Sequence, residues 1–102
     1  MITITMHRDK KHRYTCFTIS GHADYDEAGS DIVCAAVSAL SQTALLGLMQ
    51  YASQDVPYEV NDGFLSVQVP KPCEASQIIL GTMVAGLEQI VRQYGEYVVL
   101  DS

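Results

Sequence analysis

The stretch ITITMHRDKKHRYTCFTISG, residues 2–21, sets the fold. Ile2, Ile4 and Met6 alternate with Thr3, Thr5 and His7, which is the two-residue period of a half-buried strand. Tyr14 to Ser20 is rich in aromatic and β-branched residues and puts Phe17 and Ile19 on one face, as a second strand would. A short basic turn joins the two, so they suit a hairpin that ends at Gly21. His22 to Ser30 mixes acids, small residues and Gly29 with neither period and reads as a loop.

Downstream, Asp31 to about Ser53 has helical spacing, with Ile32, Val37, Leu40, Leu45, Leu48 and Ala52 among the buried candidates. Ser30 or Asp31 is the expected N-cap, accepting a bond from an otherwise orphan N–H. Pro57 to Asn61 and Phe64 to Val69 flank Asp62-Gly63, a dipeptide suited to a type I′ hairpin turn. After Pro70 and Pro72, the apolar positions Ile78, Ile79, Met83, Val84, Leu87, Ile90, Val91 and Tyr94 recur at helical spacing between Cys73 and Tyr94, and Gly95 stands where a C-cap glycine belongs. Tyr97 to Leu100 supplies a last strand. The order is ββαββαβ, an α+β domain over residues 1–102 with two helices on one face of a five-stranded, mostly antiparallel sheet.

Hydrophobic residues make up 48% and charged ones 18%, the latter below the roughly 25% usual in soluble domains, which points to a homodimer. Twelve acidic residues against six basic give a net charge of −6, the wrong sign for gripping nucleic acid and the right one for attracting a basic partner. Four of the six basic residues, Arg8, Lys10, Lys11 and Arg13, crowd one segment, which reads as a solvated turn. Cys16, Cys34 and Cys73 are odd in number and lack CxxC spacing, so a free thiol is expected. The opening residues reverse the order of a secretory signal, and Ser38, Ser41, Gln42 and Thr43 interrupt the longest apolar helix, which argues against a membrane span. The expected home is a reducing cytoplasm.

Cys34 falls in the first turn of the expected central helix, where the macrodipole favours an anionic sulfur and helps make a nucleophile. Its plain alternative is a small buried hydrophobe. His22 follows a strand end and the permissive Gly21, twelve positions before Cys34 across one loop, so the two can meet; a histidine satisfied by loop backbone is the alternative. Asp31 and Ser38, at i−3 and i+4 from Cys34, share its helix face. Either could contact the site, or serve only as a dipole-stabilised acid and a small packing residue. Ala35 and Ala36 leave room for a substrate backbone. The loop from Ala23 to Ser30 joins base to nucleophile and either closes over a peptide as a gate or is an ordinary surface loop, a passive tether.

The run GHADYDEAGSDIVCAAVSAL, Gly21 to Leu40, resembles the signature of the Prp cysteine proteases, the bacterial ribosomal-processing proteases. The resemblance implies a homodimeric enzyme that removes a short N-terminal extension from large ribosomal subunit protein twenty-seven. It carries the family histidine onto His22 and the family cysteine onto Cys34, with Asp31 and Ser38 at the motif's acid and serine. The implied chemistry needs no metal or cofactor. His22 takes the Cys34 proton, the thiolate attacks a carbonyl, and N–H groups near the helix start hold the oxyanion. One rival is a non-catalytic, dimeric ribosome-assembly or adaptor protein in which His22 and Cys34 only pack. Another is a metal site combining them with His7 or His12, against which stands the lack of close paired ligand spacing.

Overall fold

The structure is a computed structural model that describes residues 1–22, 28–52 and 55–102, with backbone only for residues 28–31. The elements run β1 (Ile2–Arg8), β2 (Tyr14–Ser20), α1 (Ala28–Tyr51), β3 (Tyr58–Asn61), β4 (Phe64–Gln68), α2 (Glu74–Tyr94) and β5 (Val98–Asp101), the expected ββαββαβ order. They form one five-stranded sheet in the order β3-β4-β2-β1-β5. Every neighbouring pair is antiparallel except β1 with β5, which is parallel and makes the sheet mixed.

Register explains the core. Ile4 pairs with Ile19 and Ile19 with Leu65; Met6 pairs with Phe17 and Phe17 with Val67, so one sheet face is apolar across three strands. These side chains are buried with Val33, Val37 and Leu48 of α1 and Leu80, Met83 and Leu87 of α2, so both helices cover that face. A side-chain link ties β2 to α2: the Tyr14 N–H donates to Gln77 Oε1 at 2.6 Å, and Gln77 Nε2 donates to the Tyr14 carbonyl at 2.9 Å. The basic segment is a turn, as its composition suggested, built around Asp9. Asp9 Oδ1 accepts from the N–H groups of Arg13 and Lys11, and the Arg13 guanidinium pairs with Oδ2 at 2.8 Å. These bonds, that from the Arg13 N–H foremost, hold the Asp9 carboxyl below its ordinary range.

Several expectations need correction. Helix α1 starts at Ala28, before Asp31, because Ala28 to Ser30 contain no breaker strong enough to stop the winding. Ser30 and Asp31 are therefore its third and fourth residues and neither is its N-cap; their side chains lie outside the described residues. Ile32 is 57% exposed, because it sits about 100° round the helix from the buried Val33. By length and composition Ile32–Tyr51 would suffice to cross a membrane despite its polar residues; here it is the central helix, with one face in the core. The Asp62-Gly63 hairpin is present, but only Gly63 has positive φ (73°), so the turn is not type I′. Gly95 caps α2 with φ −60°, in the right-handed region, as the chain winds on into a turn closed by the Tyr97 N–H on the Tyr94 carbonyl at 2.9 Å. Cys73 is the N-cap of α2, its sulfur accepting from the Ser76 N–H at 3.5 Å while its own N–H donates to Ser76 Oγ at 2.9 Å.

The sheet is wider than its helical cover. Tyr58 and Val60 pair with Val67 and Leu65 and so face the core side, yet all four residues of the edge strand β3 are exposed. The uncovered β3–β4 hairpin and the flank of α1 bound an open cavity.

Candidate active site

At the end of β2, Gly21 has φ +95° and breaks the alternation of the strand, so the parity of Cys16, Thr18 and Ser20 does not set the direction of His22. Its N–H donates to the Gly63 carbonyl at 2.9 Å, and the Met1 amino nitrogen donates to the His22 carbonyl at 2.6 Å. His22 is thus fixed through backbone to the start of β1 and to the tip of the β3–β4 hairpin. Its ring is 61% exposed, with Nε2 lying 3.9 Å from Asp62 Oδ1, beyond hydrogen-bond reach.

A cavity of about 250 Å³ brings Gly21, His22, Cys34 and Ser38 to one wall-to-wall space. Cys34 is half-buried at the margin of the core, and Ser38 lies one helical turn along the same face. Ala35 is exposed and is not among the described residues that line the cavity. The side chain of Asp31 lies outside the described residues, as does most of the Ala23 to Ser30 gate, whose last residues are the start of α1.

The earlier start of α1 has a chemical consequence. Counting from Ala28, Cys34 is the seventh helical residue rather than a first-turn residue. The macrodipole effect fades within the first turn, and amides beyond the first four are engaged inside the helix. The helix start therefore does not set oxyanion donors around Cys34.

Sequence reasoning missed part of this wall. Ser41 and Gln42 line the cavity at i+7 and i+8 from Cys34, so helical periodicity alone could have found them. Val60, Asn61, Asp62 and Gly63 also line it, brought there by the pairing of β3 with β4 and β4 with β2, which leaves no local signal.

The other thiols sit elsewhere. Cys16 points from the uncovered sheet face, where burial pushes its thiol up against weaker opposition from Gln68 and Ser66. Cys73 is exposed, and the Ser76 N–H and hydroxyl hold its thiol below the ordinary value. His7 and His12 lie at the opposite end of β2 from His22, about 20 Å along the strand, so they do not complete a metal site with it.

The family model of the cysteine protease Prp matches residues 1–99. The chain belongs to the cysteine protease Prp family. The ribosomal processing cysteine protease Prp of Staphylococcus aureus is 34% identical, with 99% of this chain and 98% of the relative covered. That of Bacillus subtilis is 27% identical, covering 92% and 90%. The fold agrees as well: the S. aureus protease in complex with a covalently linked product peptide superposes with a TM-score of 0.89 at 30% identity, covering 99% of this chain and 98% of that one. Its complex with a substrate peptide gives a TM-score of 0.85 at 27% identity. As a Prp family member the chain is a cysteine protease.

Proposed function

We propose that this protease removes the short N-terminal extension of large ribosomal subunit protein twenty-seven, with Cys34 as nucleophile and His22 as general base. The observation that carries the reading is the shared cavity: among the described residues, Cys34 and His22 line one cavity that neither Cys16 nor Cys73 lines. Cavity and hairpin leave an open trough beside β3, which suits an extended peptide, and the S. aureus relative has been crystallised with substrate and product peptides.

In the proposed cycle His22 takes the Cys34 proton and the sulfur attacks the scissile carbonyl. The tetrahedral intermediate collapses, the C–N bond breaks, and His22 returns the proton to the leaving amine. Water, deprotonated by His22, then attacks the thioester and releases Cys34. Gly21 orients His22 and Ser38 lines the cavity with Cys34; Asp31 is a supporting residue by its i−3 spacing alone, and Ala35, outside the lining, leaves room for substrate backbone. No metal or cofactor enters, and one domain, 1–102, carries the activity in the cytoplasm.

The net charge of −6 favours capture of a basic ribosomal protein over direct contact with nucleic acid. A second copy of the chain is the proposed cover for the exposed apolar side chains of the helices, Ile32, Leu46, Met49 and Ile78, giving a homodimer. The rival adaptor reading leaves its partner's mass unchanged. Replacement of His22 by Ala tests the base: single-turnover cleavage should fall by at least about 10²-fold, and near-parent turnover would remove His22 from the mechanism.

A further inference from the structure

We propose that Gly63, at the tip of the β3–β4 hairpin, is a positioning residue for the His22 imidazole, acting through the space that its missing side chain leaves. A Cβ built on Gly63 would stand 2.5 Å from His22 Nε2, 2.9 Å from Cε1 and 3.1 Å from Cδ2. Three atoms along one edge of the ring therefore occupy the space that a side chain at position 63 would need. The ring is 61% exposed, so burial does not fix it, and the Asp62 carboxylate at 3.9 Å is fully exposed and too far to lock it. The room beside the hairpin tip, left open by the glycine, is then what lets the ring take this position. The tip is itself tied to the residue before the histidine, since the Gly21 N–H donates to the Gly63 carbonyl at 2.9 Å.

Backbone conformation does not account for glycine here. A φ of +73° suits glycine, but asparagine also adopts the left-handed region with little strain. What excludes asparagine is the imidazole. With any Cβ at position 63 the 2.5 Å contact must open to an ordinary separation, so the ring or the tip withdraws by about 1 Å. A displacement of that size between reacting groups can cost on the order of 10²-fold in rate. Gly63 thus bears on the proposed base through the room it leaves for the ring. This inference rests on the reading of His22 as base, and its test includes a readout independent of that reading.

The test is Gly63→Asn, which keeps the positive φ and adds the Cβ, made in the whole chain beside Gly63→Ala. Cleavage of a peptide spanning the ribosomal extension gives kcat and KM. Ring correlations of His22 by ¹H–¹⁵N NMR, recorded in a Cys34→Ala background, report the imidazole directly. Thermal unfolding checks that the variants fold. The expected result is a folded Gly63→Asn protein with kcat lowered on the order of 10²-fold, KM nearly unchanged and shifted His22 ring resonances. A folded Gly63→Asn protein with parent kcat, or with unshifted His22 resonances, overturns the proposal. Should Gly63→Asn not fold, one glycine inserted after Gly63 moves the tip without adding a Cβ. It is expected to shift the same resonances and lower kcat, and unshifted resonances there overturn the proposal equally. If His22→Ala alone keeps parent activity, the general-base reading fails while the resonances still decide whether Gly63 sets the ring.

Discussion

Gly21→Ala should destabilise the fold and misplace His22 in a single step. At φ +95° a residue with a side chain incurs at least the roughly 1–2 kcal/mol of the left-handed region. The added Cβ would collide with the Met1 carbonyl oxygen and lie 3.4 Å from the Met1 carbonyl carbon and 3.7 Å from Ile2 Cα. All three are backbone atoms, so no rotamer change relieves the clash, and overpacking adds about 1–3 kcal/mol. The start of β1 cannot simply move away, because the Ile2 N–H donates to the Tyr97 carbonyl at 2.8 Å. The expected loss is about 3 kcal/mol, a large share of the roughly 5–15 kcal/mol of a native domain, and lowers Tm by about 10–20 °C. Because the Met1 amino group donates to the His22 carbonyl, whatever shift occurs reaches the histidine, and kcat should fall about tenfold or more. Urea unfolding followed by circular dichroism gives the stability, and peptide cleavage at a temperature where both proteins are folded gives the rate. Gly81→Ala is the control of opposite sign: nothing lies within 4 Å of a Cβ built at this helix-interior glycine, so up to about 1 kcal/mol of stabilisation is expected. An unchanged urea midpoint in Gly21→Ala would show that position 21 accepts a Cβ without strain against the Met1 backbone.

Three further outcomes follow from the charges and thiols. Raising ionic strength should lower kcat/KM for a basic substrate while leaving single-turnover chemistry nearly constant, and salt-insensitive capture would show that binding is mainly apolar. Timed iodoacetamide labelling near pH 8, read by peptide mass spectrometry, should modify Cys73 before Cys16, since Ser76 holds the Cys73 thiol down and burial pushes the Cys16 thiol up; the reverse order would contradict those directions. Replacing Cys73 by Asp should raise Tm, because a carboxylate is a stronger N-cap than a thiol bonded at 3.5 Å, and a lowered Tm would show that the sulfur is needed for more than capping.

What could be read in the sequence follows physical range. Ile2, Ile4 and Met6 alternate in the chain and are buried as a set, since period two is a property of the strand itself. The stripe through Met83, Val84 and Leu87 was equally plain, because helical spacing is also local, although Ile78, expected in it, is 60% exposed and the fully buried Leu80 was not singled out. Asp62-Gly63 marked its hairpin through backbone preference, although the turn type differed. The parallel pairing of β1 with β5 and the approach of His22 to Gly63 were not legible, because each joins segments far apart in sequence through register. The start of α1 was misread by three residues, and that small error moved Cys34 out of the first turn and altered the electrostatic argument for it. The proposed pairing of His22 with Cys34 rests instead on the cavity that both residues line, which does not depend on the helix end.

The most direct test of the central claim is intact-mass spectrometry of the extended ribosomal protein after incubation with the parent chain and with Cys34→Ala, Cys16→Ser and Cys73→Ser. A shortened protein and a released N-terminal peptide are expected with the parent and with the Cys16 and Cys73 variants, and an unchanged mass with Cys34→Ala. Cleavage by Cys34→Ala, or an intact substrate after incubation with the folded parent, would contradict that claim.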